Sequence, residues 1–404
     1  MKLSQLLDGV LVSKMFQTMF GRMVLTHEVE VGSLRSDSRL VQRGDCFVAL
    51  RGTGADGHRF VTEAIARGAT VAVIEDDGVL PDSFFMHAGV VKVVVPNSHQ
   101  ALALMAANFY GNPGRAIRMV GVTGTNGKTT TSVLLRSVLE AAGEPAGLIG
   151  TIEYRIGDRV VPASHTTPDP VELNTLLAEM VRAGTQAVAM EVSSHALSQD
   201  RVYGLPFNVA VFTNLTQDHL DYHGTMEAYF LAKKKLFDGL EAGSWAIVNA
   251  DDPWSEKILR DCRSHHRSYG SAPSADVRVT ETHLSLSGTR MTLHHDGVTT
   301  EIFSPLVGHF NVSNLAAAYA AGLACGYDPE KIRAGLQTVT GVRGRFERLA
   351  SPKGWTAIID YAHTPDALEK CLKSLRDLMP QEGKGRIITV FGAGGDRDRT
   401  KRPL

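Results

Sequence analysis

Short, wholly apolar runs recur along the chain, separated by stretches in which apolar residues return every three or four positions. In residues 1–115, "GDCFVAL", "ATVAVIE" and "VVKVVVP" read as buried strands, and "VTEAIARG" and "SHQALALMAANFYG" read as helices. Gly111, Pro113 and Gly114 then interrupt the pattern and predict a linker.

A second section, 116–343, opens with the strand "RMVGVTG", a glycine loop and the helix "KTTTSVLLRSVLEAAG". Strand-like runs at "QAVAMEV", "FNVAVFTN" and "SWAIVNA" alternate with helical stretches, which predicts a doubly wound α/β domain. Residues 276–303 switch to two-residue alternation, expected as a small antiparallel β insert, and the helix "NVSNLAAAYAAGLACG" follows. A third section, 344–404, shows the strand "WTAIIDY", the helix "PDALEKCLKSLRDLM" and the strand "RIITVFG". Its 61 residues are few beside the roughly 100–150 of a usual domain. One βαβ unit cannot cover both faces of a sheet, so the chain is expected to be cut short within this domain.

Composition changes the picture little. The 404 residues are 43% apolar and 21% charged, ordinary for a globular enzyme, and a formal net charge of −1 argues against nucleic acid as a partner. Cys46, Cys262, Cys325 and Cys371 form no CxxC pair, which speaks against a zinc site or a disulfide framework and suits a reducing compartment. "MKLSQLLDGVLVSK" lacks the apolar core of a signal peptide, and no run approaches the length of a membrane span. The expected location is the cytoplasm, with no membrane partner.

The candidate chemistry begins at "GVTGTNGKTT", residues 121–130. The usual phosphate loop is G-x-x-x-x-G-K-[ST]; here Gly121, Gly124 and Gly127 place the first glycine one position early. Gly124, Thr125, Asn126, Gly127 and Lys128 can still aim backbone N–H groups at phosphate oxygens from the N-terminus of a helix. Lys128 would neutralise the outer phosphates, and the Thr129 hydroxyl can ligate Mg²⁺. A purely structural glycine turn is the alternative.

In "MEAYFLAKKKLF", Met226, Tyr229, Phe230, Leu236, Phe237 and Leu240 form a stripe at helical period, and Lys233 falls on it, seven residues beyond Met226. Lys234 and Lys235 are turned about 100° and 200° away. An inward lysine must pair, lose its proton or be modified; a neutral amine can take up CO₂ as a carbamate and become an anionic metal ligand. Glu191 in "AMEVSSHAL" and His219 in "TNLTQDHLD" follow predicted strands, where sheets of this kind hold ligands, and could complete a shell for Mg²⁺ or Mn²⁺. Each taken alone reads more readily as a surface or capping residue than as a ligand. His223, His265 and His266 receive no role.

These segments, with "HTTPDP", "GHFNVSN", "GRFE", "DYAHTPDAL" and "FGAGGDRDRTKRP", occur in the order found in the Mur ligase family, which the chain resembles from about residue 36 onward. The resemblance implies a three-domain α/β architecture: an N-terminal domain for a UDP-linked substrate, a central P-loop ATPase domain, and a Rossmann-like C-terminal domain, here incomplete. It implies ATP-dependent amide ligation in peptidoglycan synthesis. The third amino acid of the stem, diaminopimelate in preference to lysine, would be added to UDP-N-acetylmuramoyl-L-alanyl-D-glutamate through an acyl phosphate. Gly124 through Thr130 would bind ATP, with Asn311 and Asn314 at adenine or ribose and Arg345 and Asp360 reaching the nucleotide. Lys128, Lys233 and His219 would be catalytic. Lys233, as a carbamate, would hold Mg²⁺ together with Thr129, Glu191 and His219. Ser38 would touch the uridine nucleotide; Thr166, Thr167, Ser193 or Ser194, Gln199 and Arg201 would hold the muramoyl-dipeptide. Arg397 would grip the incoming amino acid's carboxylate. The family's second amino-acid motif does not occur before Leu404, so a monomer that binds both substrates without ligating them, and the lysine-adding ligase, stand as alternatives.

Overall fold

Runs of alternating residues that are apolar on both sides need two apolar layers, and that is how the first third of the chain is built. The computed structural model describes residues 1–52, 54–363, 365–379 and 386–392. Strands β1 (Lys14–Phe16), β2 (Leu34–Arg35), β3 (Cys46–Val48), β4 (Val71–Ile74) and β5 (Val91–Val94) form one sheet in the order β1-β5-β4-β3-β2. All neighbours are parallel except β1, which runs antiparallel to β5. Val48, Val71, Val73, Val91 and Val93 face one core, with Leu102 and Met105 of α3 (Ser98–Phe109). Phe47, Ala72 and Ile74 face the other, with Val61 and Ala64 of α1 (Val61–Ala66) and Phe85 of α2 (Asp82–Ala88). Lys92, the charge inside β5, is buried, and its Nζ donates to Asp82 Oδ1 at 2.9 Å and to the carbonyl of Asp77 at 2.7 Å. Met1–Ala116 forms this unit together with Pro168–Glu179 and Ser198–Leu205.

The second unit comprises Ile117–Thr167, Met180–Leu197 and the chain from Pro206 onward. Its sheet contains β6 (Arg118–Thr123), β7 (Ala146–Ile149), β8 (Glu153–Ile156), β9 (Arg159–Pro162), β10 (Ala187–Glu191), β11 (Phe207–Phe212) and β12 (Trp245–Asn249). It continues with β13 (His265–Gly270), β14 (Val277–Ser285), β15 (Gly288–His295) and β16 (Val298–Ser304). The order is β9-β8-β7-β10-β6-β11-β12-β13-β14-β15-β16. β7, β10, β6, β11, β12, β13 and β14, consecutive in that order, are parallel, and antiparallel strands extend both edges. The residues expected as a small antiparallel β insert do pair antiparallel, and they continue the main sheet: Tyr269 and Gly270 of β13 pair with Val277 and Arg278 of β14. Alternation along 276–303 predicts the hairpins but carries no signal for which edge they join.

Four helices matter to the site: α4 (Lys128–Ala142), α5 (Met226–Asp238), α6 (His309–Ala324) and α7 (Pro329–Thr338). Leu134 and Val138 of α4, Leu315 and Tyr319 of α6 and Leu336 of α7 pack with Val120 and Val122 of β6 into one core. Beyond Gly344, β17 (Glu347–Ala350) pairs antiparallel with β18 (Thr356–Ile359), and α8 (Pro365–Leu378) follows. The strand expected at "RIITVFG" is not formed: residues 386–392 carry no strand, and Val390 is 93% exposed. β18 takes its ladder partner from β17 instead, and an apolar run without a ladder is not a strand. Among the described residues no helix is long and apolar enough to cross a membrane.

Candidate active site

β6 lies between β10 and β11, with Glu191 beside Val122 and Phe212 beside Thr123. From β6 the chain passes to β7 on one side of the sheet, and from β10 it passes to β11 on the other, so the C-terminal ends of β6 and β10 mark the switch point at which such sheets hold ligands. Residues 124–127 cross this end and enter α4. Two glycines there admit no side chain. A Cβ on Gly124 (φ +149°) would lie 1.9 Å from Thr213 Oγ1, and one on Gly127 (φ +89°) would lie 2.4 Å from Asn314 Oδ1. The loop is held from outside as well. Asn126 N–H donates to Asn214 Oδ1 at 3.0 Å, Thr213 Oγ1 donates to the Asn126 carbonyl at 2.6 Å, and Thr125 Oγ1 donates to the Thr216 carbonyl at 3.1 Å.

Asn311 and Asn314 stand on the first turns of α6, both buried. Asn314 Nδ2 donates to Asn311 Oδ1 at 2.9 Å, and Asn311 Nδ2 to the Val307 carbonyl at 2.8 Å. Asn314 therefore packs on the loop at Gly127, with Thr131 donating to its Oδ1 at 3.4 Å.

Glu191, the last residue of β10, is 1% exposed, and its carboxylate is held from three directions. Oε1 accepts from the Thr151 N–H at 2.8 Å; Oε2 accepts from Thr151 Oγ1 at 3.0 Å and from Thr129 Oγ1 at 3.1 Å. Arg345 donates to the same Thr129 hydroxyl at 3.1 Å. Thr130 is buried beside it in the first turn of α4. Thr166 Oγ1 lies 3.1 Å from Thr151 Oγ1, Thr167 Oγ1 donates to the Glu191 carbonyl at 2.7 Å, and Ser193 N–H donates to Thr167 Oγ1 at 3.0 Å.

α5 is capped by Thr225, whose hydroxyl accepts from Ala228 N–H at 3.1 Å, and its apolar stripe faces the sheet. Lys233 is on that stripe, 1% exposed, with Nζ 4.4 Å from the centre of the Tyr229 ring. It donates to the Gly124 carbonyl at 2.8 Å. Burial, reinforced by the nearby charge of Lys128, pushes its pKa well below the ordinary lysine value. Lys234 differs from the helical-wheel expectation. Its aliphatic stem is covered while its amine pairs with Asp238, one turn on, as a long side chain can. Lys235 is exposed.

His219 adopts a left-handed conformation (φ 54°), with Nε2 3.3 Å from Asp218 Oδ2. Burial lowers its pKa to about 4, so the imidazole is neutral near pH 7. Its ring packs against His195 at 4.8 Å and Tyr229 at 6.1 Å. His223, which the sequence left without a role, joins this group: its ring is 5.1 Å from Tyr229 and its Nε2 is 3.0 Å from Ser194 Oγ. The i, i+4 spacing of His219 and His223 was the available signal.

Asp360 is exposed and closes a local turn, accepting from Phe346 N–H at 2.7 Å and Ala362 N–H at 2.8 Å. Ser38, Gln199 and Arg201 belong to the first unit: Ser38 donates to Glu63 at 3.0 Å, and Arg201 donates to Gln199 Oε1 at 2.7 Å. Arg397 lies outside the described residues.

A strand–loop–helix with a lysine at the helix start, a buried carboxylate on the neighbouring strand and a second buried lysine define a P-loop nucleotide enzyme. The chain belongs to the Mur ligase family. Residues 30–110 match the Mur ligase family catalytic domain, 122–322 the Mur ligase middle domain, and 344–404 the glutamate ligase domain. It is 45% identical over 382 residues to the UDP-N-acetylmuramoyl-L-alanyl-D-glutamate–2,6-diaminopimelate ligase of Geobacter metallireducens, spanning 93% of this chain and 73% of that protein. It is 44% identical over 378 residues to the like-named protein of Parabacteroides distasonis, covering 93% and 75%. A solved structure of a ligase of the same name superposes with a TM-score of 0.75 at 30% identity, covering 94% of this chain and 76% of that one.

Proposed function

We propose that this chain is an ATP-dependent ligase that adds meso-diaminopimelate to UDP-N-acetylmuramoyl-L-alanyl-D-glutamate in peptidoglycan synthesis. The observation that carries the reading is the meeting of Lys128, Lys233 and the Thr129–Glu191 pair around one phosphate loop. The relatives' shared name supports the substrates, diaminopimelate included.

A carboxylate resists attack because a nucleophile must add charge to an anion and expel oxide. Transfer of the γ-phosphoryl group of ATP to the D-glutamate carboxylate gives an acyl phosphate, with ADP leaving. The neutral amine of the amino acid then attacks the acyl carbon, the C–O bond to phosphate breaks, and amide and phosphate result after loss of the amine proton. Residues 124–130 cradle the phosphates, and Lys128 screens the repulsion as two anions meet. Glu191 Oε2 and Thr129 Oγ1, 3.1 Å apart, are hard oxygen donors suited to Mg²⁺, and neutral His219 offers a nitrogen. Lys233 would join them as a carbamate. Mg²⁺ bound there supplies charge neutralisation for the transferring phosphoryl group. Thr166, Thr167 and Ser193, linked to Glu191 by hydrogen bonds, would present the muramoyl-dipeptide carboxylate, with Ser38, Gln199 and Arg201 reading the rest of that substrate and Arg397 the incoming amino acid.

The test is ADP release with the UDP-dipeptide and either meso-diaminopimelate or L-lysine. Tripeptide formed with diaminopimelate alone is expected. Phosphate release at full rate without any amine would instead identify a phosphohydrolase.

A further inference from the structure

Glu191 would be of little use at a phosphate site if its carboxylate could rotate. Thr151, in the turn after β7, prevents that by holding both oxygens, with N–H on Oε1 at 2.8 Å and hydroxyl on Oε2 at 3.0 Å. The backbone passes so close that a Cβ on the preceding Gly150 would lie 2.5 Å from Oε1. The same Thr151 hydroxyl lies 3.1 Å from Thr166 Oγ1. Thr129, Glu191, Thr151 and Thr166 thus form one continuous chain of side-chain hydrogen bonds from the first turn of α4 to the "HTTPDP" segment.

We propose that Thr151 is a positioning residue: its hydroxyl aims Glu191 at the metal and ties that aim to the segment that meets the acceptor substrate. This deepens the ligase reading and rests on it. A buried carboxylate donated to from one side turns its remaining lone pairs to the other, here toward the Thr129 hydroxyl. Losing a partner of this kind, one bond removed from the metal, typically costs about 10–100-fold in metal affinity. Removing the hydroxyl while keeping shape leaves the backbone N–H on Oε1 and frees Oε2 to swing.

The test compares the wild-type chain with Thr151→Val, which keeps volume, and Thr151→Ser, which keeps the hydroxyl. Mn²⁺ binding to each protein in the presence of ADP is read by electron paramagnetic resonance, and tripeptide synthesis is measured in parallel. For Thr151→Val, Mn²⁺ affinity is expected to fall about 10–100-fold, with kcat reduced and KM for the UDP-dipeptide little changed. Thr151→Ser is expected to restore both. Should the valine variant melt early, Thr151→Ala against Thr151→Ser carries the same expectation. Wild-type Mn²⁺ affinity in Thr151→Val or Thr151→Ala, or an equal loss in Thr151→Ser, overturns the proposal. If the wild-type chain makes no tripeptide, the ligase reading fails, while the Mn²⁺ comparison still decides the role of Thr151.

Discussion

Lys128 and Lys233 donate to the same atom, the carbonyl oxygen of Gly124, at 2.9 and 2.8 Å. One lysine opens α4 and the other sits two turns into α5, and they meet only because the loop between β6 and α4 folds over the inward face of α5. Two ammonium groups on one carbonyl repel, and burial penalises both; each pKa is driven below the ordinary lysine value, mainly by desolvation. The arrangement favours a neutral amine at position 233, which is what carbamate formation requires.

That strain predicts a trade between stability and activity. Lys233→Met fills the same space without a charge. In chelator-treated, CO₂-free buffer it should raise Tm by on the order of 2 °C near neutral pH. The unfolded chain holds a proton on Lys233 that the folded chain gives up more readily, so native stability rises with pH toward 10.5 and the variant's advantage shrinks. Ligation by Lys233→Met, followed as tripeptide, should be nearly abolished and not restored by bicarbonate. Wild-type turnover would remove Lys233 from the metal site.

Lys128 also donates to the Thr125 carbonyl at 2.9 Å, so under the proposed function a nucleotide would draw it from two carbonyls to its phosphates. Lys128→Ala should weaken ADP binding by roughly 10–100-fold, the worth of one charged hydrogen bond, as read by calorimetry. Unchanged affinity would contradict the loop assignment.

His219 and His223 both titrate at about 4, lowered chiefly by burial from 6.5. Between those values the unfolded chain binds protons the folded chain refuses, so stability falls as pH drops from 6.5 toward 4. Solvent reaches both rings and limits the effect to less than about 1 kcal/mol each. A plot of Tm against pH should flatten over that interval in a His219→Asn, His223→Asn double variant.

In the first unit, Lys92 ties Asp77 and Asp82, which Lys14 also contacts at 2.9 and 3.1 Å. Lys92→Met should lower stability, by less than the loss of one partner from a fully enclosed pair, because both carboxylates reach solvent and keep Lys14. A lower urea midpoint would register it. Hydrogen bonds to Lys92, then Lys14, hold both carboxyls below 3.8, so the tie persists above that value and weakens as pH falls through the depressed pKa values.

Much of this was legible in the sequence because it is local. The phosphate loop reads from glycine spacing, and the inward position of Lys233 from a stripe at period 3.6. The buried strands "ATVAVIE" and "VVKVVVP" read from continuous apolar runs. What stayed hidden depends on contacts between distant segments. Thr151 is one threonine in an unremarkable "GTIEY" until β10 brings Glu191 against it, 40 residues on. The i, i+4 spacing places His223 with His219, but its contact with Ser194 is long-range, and Lys234 is covered because its stem lies over the surface of α5. The failed strand at 386–392 has the same cause: apolar alternation encodes a willingness to pair, not a partner.

The central claim is that the phosphoryl group of ATP passes to the D-glutamate carboxylate. UDP-N-acetylmuramoyl-dipeptide carrying ¹⁸O in that carboxylate, turned over with ATP and meso-diaminopimelate, tests it directly. The account predicts one ¹⁸O in each phosphate released, detected by ³¹P NMR. Tripeptide accompanied by phosphate free of ¹⁸O would contradict it.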